Sequence, residues 1–226
     1  MSSNKVNIPV LTISLALIAG IAAGLLGWVY QITEEPIAAA QQEKTNAALR
    51  DVLPAFDNQP SEETNTIDGV TFYTGRNGGK IVGFAGETIT SEGYGGDVTV
   101  LAGVKLDGTL TTVLVTKQSE TPGLGTRVCE RKRQKTLSGL IRGVKFTGLP
   151  PNTVLDQFGI KKMKATLGQV PWTVKKDGGT LDAVTGATIT SRAVGGAVFT
   201  IAKTFAAQRS ILLSKSRGVT EYGVSE

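Results

Sequence analysis

The stretch Asp182-Ala183-Val184-Thr185-Gly186-Ala187-Thr188, continued by Ile189-Thr190-Ser191, sets a hydroxyl directly after a small Gly-Ala pair. A helix is expected to follow, from about Ser191 to Ile211, through Arg192, Ala193, Val194 and Phe205. A helix start leaves several backbone N–H groups unpaired and presents the positive end of the helix dipole, so it favours a phosphate. A Thr188 hydroxyl at that point can hydrogen-bond a phosphate or be esterified to one. Gly186 and Ala187 would let a bulky cofactor come close to the backbone. The same string also reads as an ordinary helix cap, where Thr and Ser are favoured. On these residues alone both readings stand.

Composition narrows the chemistry. The chain has 226 residues, no histidine and one cysteine, Cys129. Ser-His-Asp and Cys-His nucleophilic machinery is therefore absent, as are zinc sites built on histidine or paired cysteine. Iron–sulfur clusters need about four thiolates. No intrachain disulfide can form. If the protein does redox work, an organic cofactor has to carry it; no catalytic residue and no metal site is assigned. The net charge is +5 and the pI about 9.3. The basic run 127–135 lacks nearby aromatics and is interrupted by Glu130, so it reads as a solvated helix face and nucleic acid is not an expected partner. Cys129 reads as a silent thiol on that face.

The elements that must position the Asp182–Thr188 stretch follow from patterning. Val6 to Thr33 contains no charged side chain, and its core from Ile8 to Tyr30 is long enough for one transmembrane helix of about 20 residues. Trp28 and Tyr30 sit at its end, where amphipathic rings favour the headgroup layer. Gly20, Ala22, Ala23, Gly24 and Gly27 would let another helix pack closely. Lys5 precedes the span and Glu34 and Glu35 follow it, which places the N-terminus inside and the bulk of the chain outside the cytoplasm. An uncleaved membrane anchor is carried forward over a cleaved signal peptide, whose apolar region is shorter. Pro36 to Leu53 reads as a helix that continues the span as a stalk and ends at Pro54; residues 57–65 read as a polar, acidic surface loop. Val70–Thr74 and Lys80–Ala85 flank Arg76-Asn77-Gly78-Gly79 as a hairpin, and Asp97–Lys105 and Leu110–Thr116 flank a second turn at Leu106–Thr109. A short helix is expected over Thr136–Arg142 and a short strand over Trp172–Lys175, followed by a turn at Asp177-Gly178-Gly179; Asn152–Met163 is ambiguous. The fold class is α+β, a single domain of antiparallel strands packed with helices behind one N-terminal transmembrane helix. The expected boundaries are 1–7 cytoplasmic, 8–32 transmembrane, 33–66 stalk and linker, 67–211 extracytoplasmic domain and 212–226 flexible tail.

Two further glycine-rich segments stand at strand boundaries, Glu92-Gly93-Tyr94-Gly95-Gly96-Asp97 and Glu120-Thr121-Pro122-Gly123-Leu124-Gly125. Neither has the spacing of a dinucleotide fold or a P-loop. Each reads equally as a ligand loop or as tight turns.

Taken in order, Gly93–Asp97, Glu120–Gly125, Val174–Gly179 and Asp182–Thr190 resemble the G subunit of the Rnf ion-translocating electron-transport complex. More distantly they are similar to the C subunit of the sodium-pumping NADH:quinone reductase. The resemblance runs from about Gly93 to Ala202. It implies an FMN-binding domain with FMN attached through its phosphate to Thr188 by a separate flavin transferase that uses FAD. Asp182, Thr185 and Gly186 would belong to the motif this enzyme reads. Ala187, Thr190, Glu120, Thr121, Pro122, Gly123 and Leu124 complete the implied cofactor site, where Glu120 would tune the ring by charge or hydrogen bonding. Arg192 is expected to add a contact to the phosphate. Relatives often carry a histidine shortly before the Glu-Thr-Pro-Gly segment; in this chain Gln118 and Ser119 stand there, so no proton donor is assigned. The implied function is an electron relay between reduced ferredoxin and NAD inside a membrane complex that moves Na⁺ or H⁺, with no catalysis by the chain alone. A stand-alone membrane-anchored flavoprotein reductase and a non-catalytic scaffold module are the alternatives.

Overall fold

The computed structural model describes residues 8–131, 148–160, 163–164 and 171–218. The chain divides into two compact units, residues 1–44 and residues 45–226. The first element is one continuous helix, α1 (Ile8–Val52), and Pro36 lies inside it rather than starting a new one. Its N-terminal part is long and apolar enough to cross a membrane. Polar side chains there bond back to the helix itself: Thr12 donates to Ile8 O at 3.0 Å and Thr33 to Val29 O at 2.8 Å. That pairing suits a solvent without hydrogen-bond partners. The last turns of α1 belong to the second unit, where Leu49, Val52 and Leu53 are buried with Tyr73, Ala85 and Leu101. The domain therefore begins before residue 67, the boundary expected from patterning.

The sheet is a five-stranded antiparallel meander in sequence order: β1 (Thr64–Ile67), β2 (Val70–Asn77), β3 (Lys80–Thr90), β4 (Val98–Val104) and β5 (Leu110–Lys117). The turn between β2 and β3 is Gly78-Gly79, with φ of +57° and +75°, the left-handed pair that a tight hairpin needs. Strand β1 was not expected; it lies at the end of the acidic stretch read as a loop. Asp68 and Gly69, at φ of +50° and +76°, form the turn into β2, and that Asp-Gly pair is the local cue that marks it.

Among the described residues after the sheet come two short helices, α2 (Thr126–Cys129) and α3 (Thr153–Ile160), and one long one, α4 (Thr188–Gly218). One sheet face carries Phe72, Phe84, Val100, Ala102 and Val104 into the main core, and α4 covers that face. Its Val194, Val198, Ile201, Phe205 and Leu212 are buried, a spacing of three, four and seven that keeps one stripe on the sheet. Phe205 meets Phe72 and Phe84 with ring centroids 6.2 and 5.6 Å apart. Each such side chain contributes roughly 1.5–3 kcal/mol on burial. This stripe sets the rotation of α4 and therefore where its first residue, Thr188, stands. The helix starts three residues before the expected Ser191 and extends past Ile211. Leu212 is core, so the flexible tail does not begin there.

The ambiguous segment after Asn152 is helical from Thr153 to Ile160. Trp172–Lys175 is not a strand: Val174 makes a single bridge to Leu181, and Lys175–Asp177 forms a 3-10 turn. The backbone doubles back there too tightly for a ladder to propagate. The helix expected over Thr136–Arg142 lies outside the described residues. The α+β class is borne out.

Candidate functional site

Val184 to Ala187 forms a tight turn closed by Ala187 N–H donating to Val184 O at 2.9 Å. Gly186 occupies its third position at φ +85°. A turn of this type demands φ above zero there, which glycine meets without steric cost. Thr185 is exposed on the turn, Ala187 is buried, and Thr188 is partly exposed as the first residue of α4. Ser191 N–H donates to Ala187 O at 3.0 Å, which leaves the amides of Thr188, Ile189 and Thr190 at the open end of the helix. The Ser191 hydroxyl also bonds back, to Ala187 O at 2.9 Å. Thr190 is 1 % exposed, and its hydroxyl has no partner among the described residues.

The Glu120–Gly125 segment folds as a second turn of the same kind. Leu124 N–H donates to Thr121 O at 3.2 Å, with Pro122 second and Gly123 third at φ +79°. Thr121, Pro122 and Gly123 are exposed. The two turns meet: a methyl group placed on Gly186 would lie 3.3 Å from Leu124 Cδ2. Glu120 is 5 % exposed; its Oε1 accepts Tyr94 N–H at 2.8 Å while Oε2 has no partner among the described residues. A side chain on either Gly93 or Gly125 would run into this carboxylate. The Gly93–Asp97 loop is thereby tied to the Glu120 turn. It also borders α4, since a methyl on Gly196 would come within 4.0 Å of Glu92 Oε2. Sequence reasoning left both loops undecided between ligand contact and tight turns; the structure shows Thr121–Leu124 as a tight turn and brings the Glu92–Asp97 loop against α4.

Cys129 and Arg131 depart from expectation, and two surface residues of the site find partners within the chain. Arg192 does not face the helix start as a free cation. Its Nε and Nη2 donate to Asp177 at 2.6 and 2.7 Å, and this contact lowers the Asp177 carboxyl below its usual range. Asp182 directs its carboxylate to Lys175. Cys129 is buried rather than on a solvated face, and burial, with the nearby Glu120 and Glu130 carboxylates, pushes its thiol up to about 12. Part of the basic run, 132–135, lies outside the described residues; Arg131, within them, is an internal residue paired to Asp156 at 2.6 Å.

Two residues that sequence reasoning missed hold the site from behind. Asn152 caps α3, its Oδ1 accepting the N–H groups of Val154 and Leu155 at 3.0 Å. An asparagine after Pro150-Pro151 at the start of an apolar run is a readable helix start. Gln157 bonds the backbone of Asp182, and nothing local in the sequence signals it.

A phosphorylated cofactor fits this arrangement. The open amides of α4 and the side-chain-free Gly186 turn suit a phosphate at a helix start, and the Thr190 hydroxyl nearby lacks a partner among the described residues. Fold and site define an FMN-binding domain: residues 93–203 match the family described as FMN-binding domain, and residues 1–52 match the RnfG N-terminal region. The chain is 33% identical over 207 residues to the G subunit of the ion-translocating oxidoreductase complex of Cereibacter sphaeroides, covering 88% of this chain and 85% of the relative. It is 33% identical over 211 residues to the protein of the same name from Pseudomonas aeruginosa, covering 88% and 89%. Against the G subunit of the Na(+)-translocating ferredoxin:NAD(+) oxidoreductase complex of Acetobacterium woodii it is 30% identical over 193 residues, covering 80% and 83%. The chain belongs to the family of G subunits of ion-translocating oxidoreductase complexes, which bears out the resemblance drawn from Gly93–Ala202.

Proposed function

We propose that this chain is an electron-relay subunit of an Rnf-type membrane complex and that it carries FMN joined through its phosphate to the Thr188 hydroxyl. The observation that carries this reading is the position of Thr188: partly exposed, at the open start of a core-anchored helix, directly after a turn that glycine forms at little cost. FMN, when bound, supplies the reversible one- and two-electron chemistry that the side chains of this protein lack. The residues do the rest. The helix start stabilises the phosphate charge by about 0.3–1 kcal/mol. Leu124 and Gly186 present a small, apolar contact beside the attachment point. Glu120, buried and held by Tyr94 N–H, places a fixed carboxylate behind the Thr121–Gly125 turn. A covalent tether keeps the carrier from diffusing away.

The hydroxyl is esterified by a separate flavin transferase with FAD as donor: the Thr188 oxygen forms a bond to the FMN phosphorus, the pyrophosphate bond of FAD breaks, AMP leaves and the hydroxyl proton is released. Asp182, Thr185 and Gly186 are the residues that enzyme reads. The relay runs between reduced ferredoxin and NAD, coupled by the whole complex to Na⁺ or H⁺ movement. An ion path across a membrane uses polar or ionisable groups; residues 8–33 hold no charged side chain, so the path belongs to other subunits. The lone Lys5 before the span puts the FMN-binding domain on the extracytoplasmic side of the inner membrane.

The test is denaturing electrophoresis with in-gel fluorescence after co-expression with the transferase. The wild-type band fluoresces, and Thr188→Val does not. A fluorescent Thr188→Val band refutes this attachment site.

A further inference from the structure

Gln157 lies outside every segment that carried the resemblance, yet it grips the start of the Asp182–Thr188 stretch. It stands on α3 and is 4 % exposed. Its Oε1 accepts Asp182 N–H at 2.7 Å, and its Nε2 donates to Asp182 O at 3.1 Å and to Val154 O at 2.9 Å. One side-chain amide thus serves both backbone groups of Asp182, as a neighbouring strand would. A primary amide suits this because it holds a donor and an acceptor in one plane.

The other end of α3 is pinned to the second loop of the site. Asn152 Nδ2 donates to the carbonyl oxygens of Arg127, Val128 and Glu130 at 3.3, 3.0 and 3.0 Å. These belong to α2 and the residue that ends it. In turn α2 closes onto the Thr121–Gly125 turn, through Thr126 N–H to Thr121 O at 3.3 Å and Gly123 N–H to the Thr126 hydroxyl at 2.9 Å. Helix α3 is therefore a short rigid body with a pin in each loop. Beyond Asp182 the stretch has few internal ties before α4: the Val184–Ala187 turn and a long bond from Val184 N–H to the Ser191 hydroxyl, 3.3 Å.

We propose that Gln157 is a positioning residue for modification of Thr188: by clamping the Asp182 backbone from α3 it holds the acceptor stretch in register with the Thr121–Leu124 turn. This rests on the reading that Thr188 is the flavin acceptor. A reacting group displaced by about 1 Å loses roughly a hundredfold in rate, so a clamp at the head of the stretch governs turnover more than recognition.

The experiment uses the full chain, purified unmodified in detergent, with flavin transferase and FAD added. Two quantities are read: hydrogen exchange of peptides spanning 182–188 before attachment, and the rate of covalent FMN gain as a function of acceptor concentration. In Gln157→Leu, exchange over 182–188 rises about tenfold while the sheet peptides are unchanged. The kcat for attachment falls about tenfold, with KM for the acceptor within about twofold of wild type. Gln157→Glu supplies the conservative rescue. Its neutral carboxyl group both donates and accepts, whereas its carboxylate only accepts, so its rate relative to wild type recovers as pH falls. The charged groups beside the clamp, Asp182 with Lys175 and Asp156 with Arg131, set the pH at which the introduced carboxyl gains its proton; a Gln157→Glu rate that shows no recovery as pH falls overturns the clamp. Unchanged exchange over 182–188 in Gln157→Leu, an unchanged kcat, or a rise in KM alone overturns the clamp while leaving Thr188 as acceptor. A wild-type chain that gains no FMN removes the acceptor itself and the proposal with it.

Discussion

Replacing Gly186 by alanine separates the geometry of the acceptor turn from the stability of the domain. At φ +85° an L-residue costs roughly 1–2 kcal/mol, and the stiffer unfolded chain offsets about 0.4–1 kcal/mol of that. The new methyl sits 3.3 Å from Leu124 Cδ2, a tight contact, but Leu124 is 45% exposed and can turn aside. The net loss is about 1 kcal/mol, a fall in Tm of about 2–4 °C for a domain of this size. Gly69→Ala is the matched control: its φ is +76°, nothing lies within 4 Å of the added methyl, and it sits in the β1–β2 turn. Thermal melts and in-gel fluorescence on both variants give the comparison. Both melt slightly lower, and only Gly186→Ala gains FMN slowly, by about tenfold, because only its turn carries Thr188. Equal attachment in Gly186→Ala and wild type, or an equal loss in Gly69→Ala, would refute the claim that this turn sets the acceptor.

Asn152→Ala removes a cap and a donor shared by the carbonyls of α2; urea unfolding should show a loss of about 2–3 kcal/mol. Cys129 should resist a disulfide reagent at pH 8 in the native protein and react once denaturant is added, since burial suppresses its thiolate. Its folded pKa is raised to about 12 from an ordinary value of 9.0. The stabilisation it gives is therefore complete below about pH 9 and is lost as pH rises toward 12, a loss that Cys129→Ala should diminish in melts across that range. Tyr73, raised by burial and by its 2.7 Å hydrogen bond to Glu87, acts in the same direction from about pH 10 upward. Phenolate absorbance should lag in the folded protein and appear with unfolding. Asp177 has the opposite sign: Arg192 holds its carboxyl low, so the contribution is present above about pH 4 and fades as acid protonates it. Arg192→Gln should shift the acid midpoint of unfolding upward.

Much of the domain was legible because its cues are local. Gly78-Gly79 announces a hairpin whatever surrounds it, whereas the glycine and proline of Thr121–Leu124 left a turn and a ligand loop equally open. Strand β1 was equally local, but its Asp-Gly turn was hidden beside a run of acidic residues that reads as solvent-facing. Trp172–Lys175 failed as a strand for a tertiary reason: the chain turns at Lys175–Asp177 and offers one bridge, not a ladder.

From the residue string alone come the membrane-length apolar run, the antiparallel hairpins and Thr188 ahead of a helix, because hydropathy, turn chemistry and helix starts each depend on residues a few positions apart. Only the folded chain decides that Arg192 pairs with Asp177, that Cys129 is sealed in the core, and that Gln157 holds Asp182 from another helix. Those facts are meetings between side chains far apart in sequence. No local pattern records which partner a polar group will find when water is excluded.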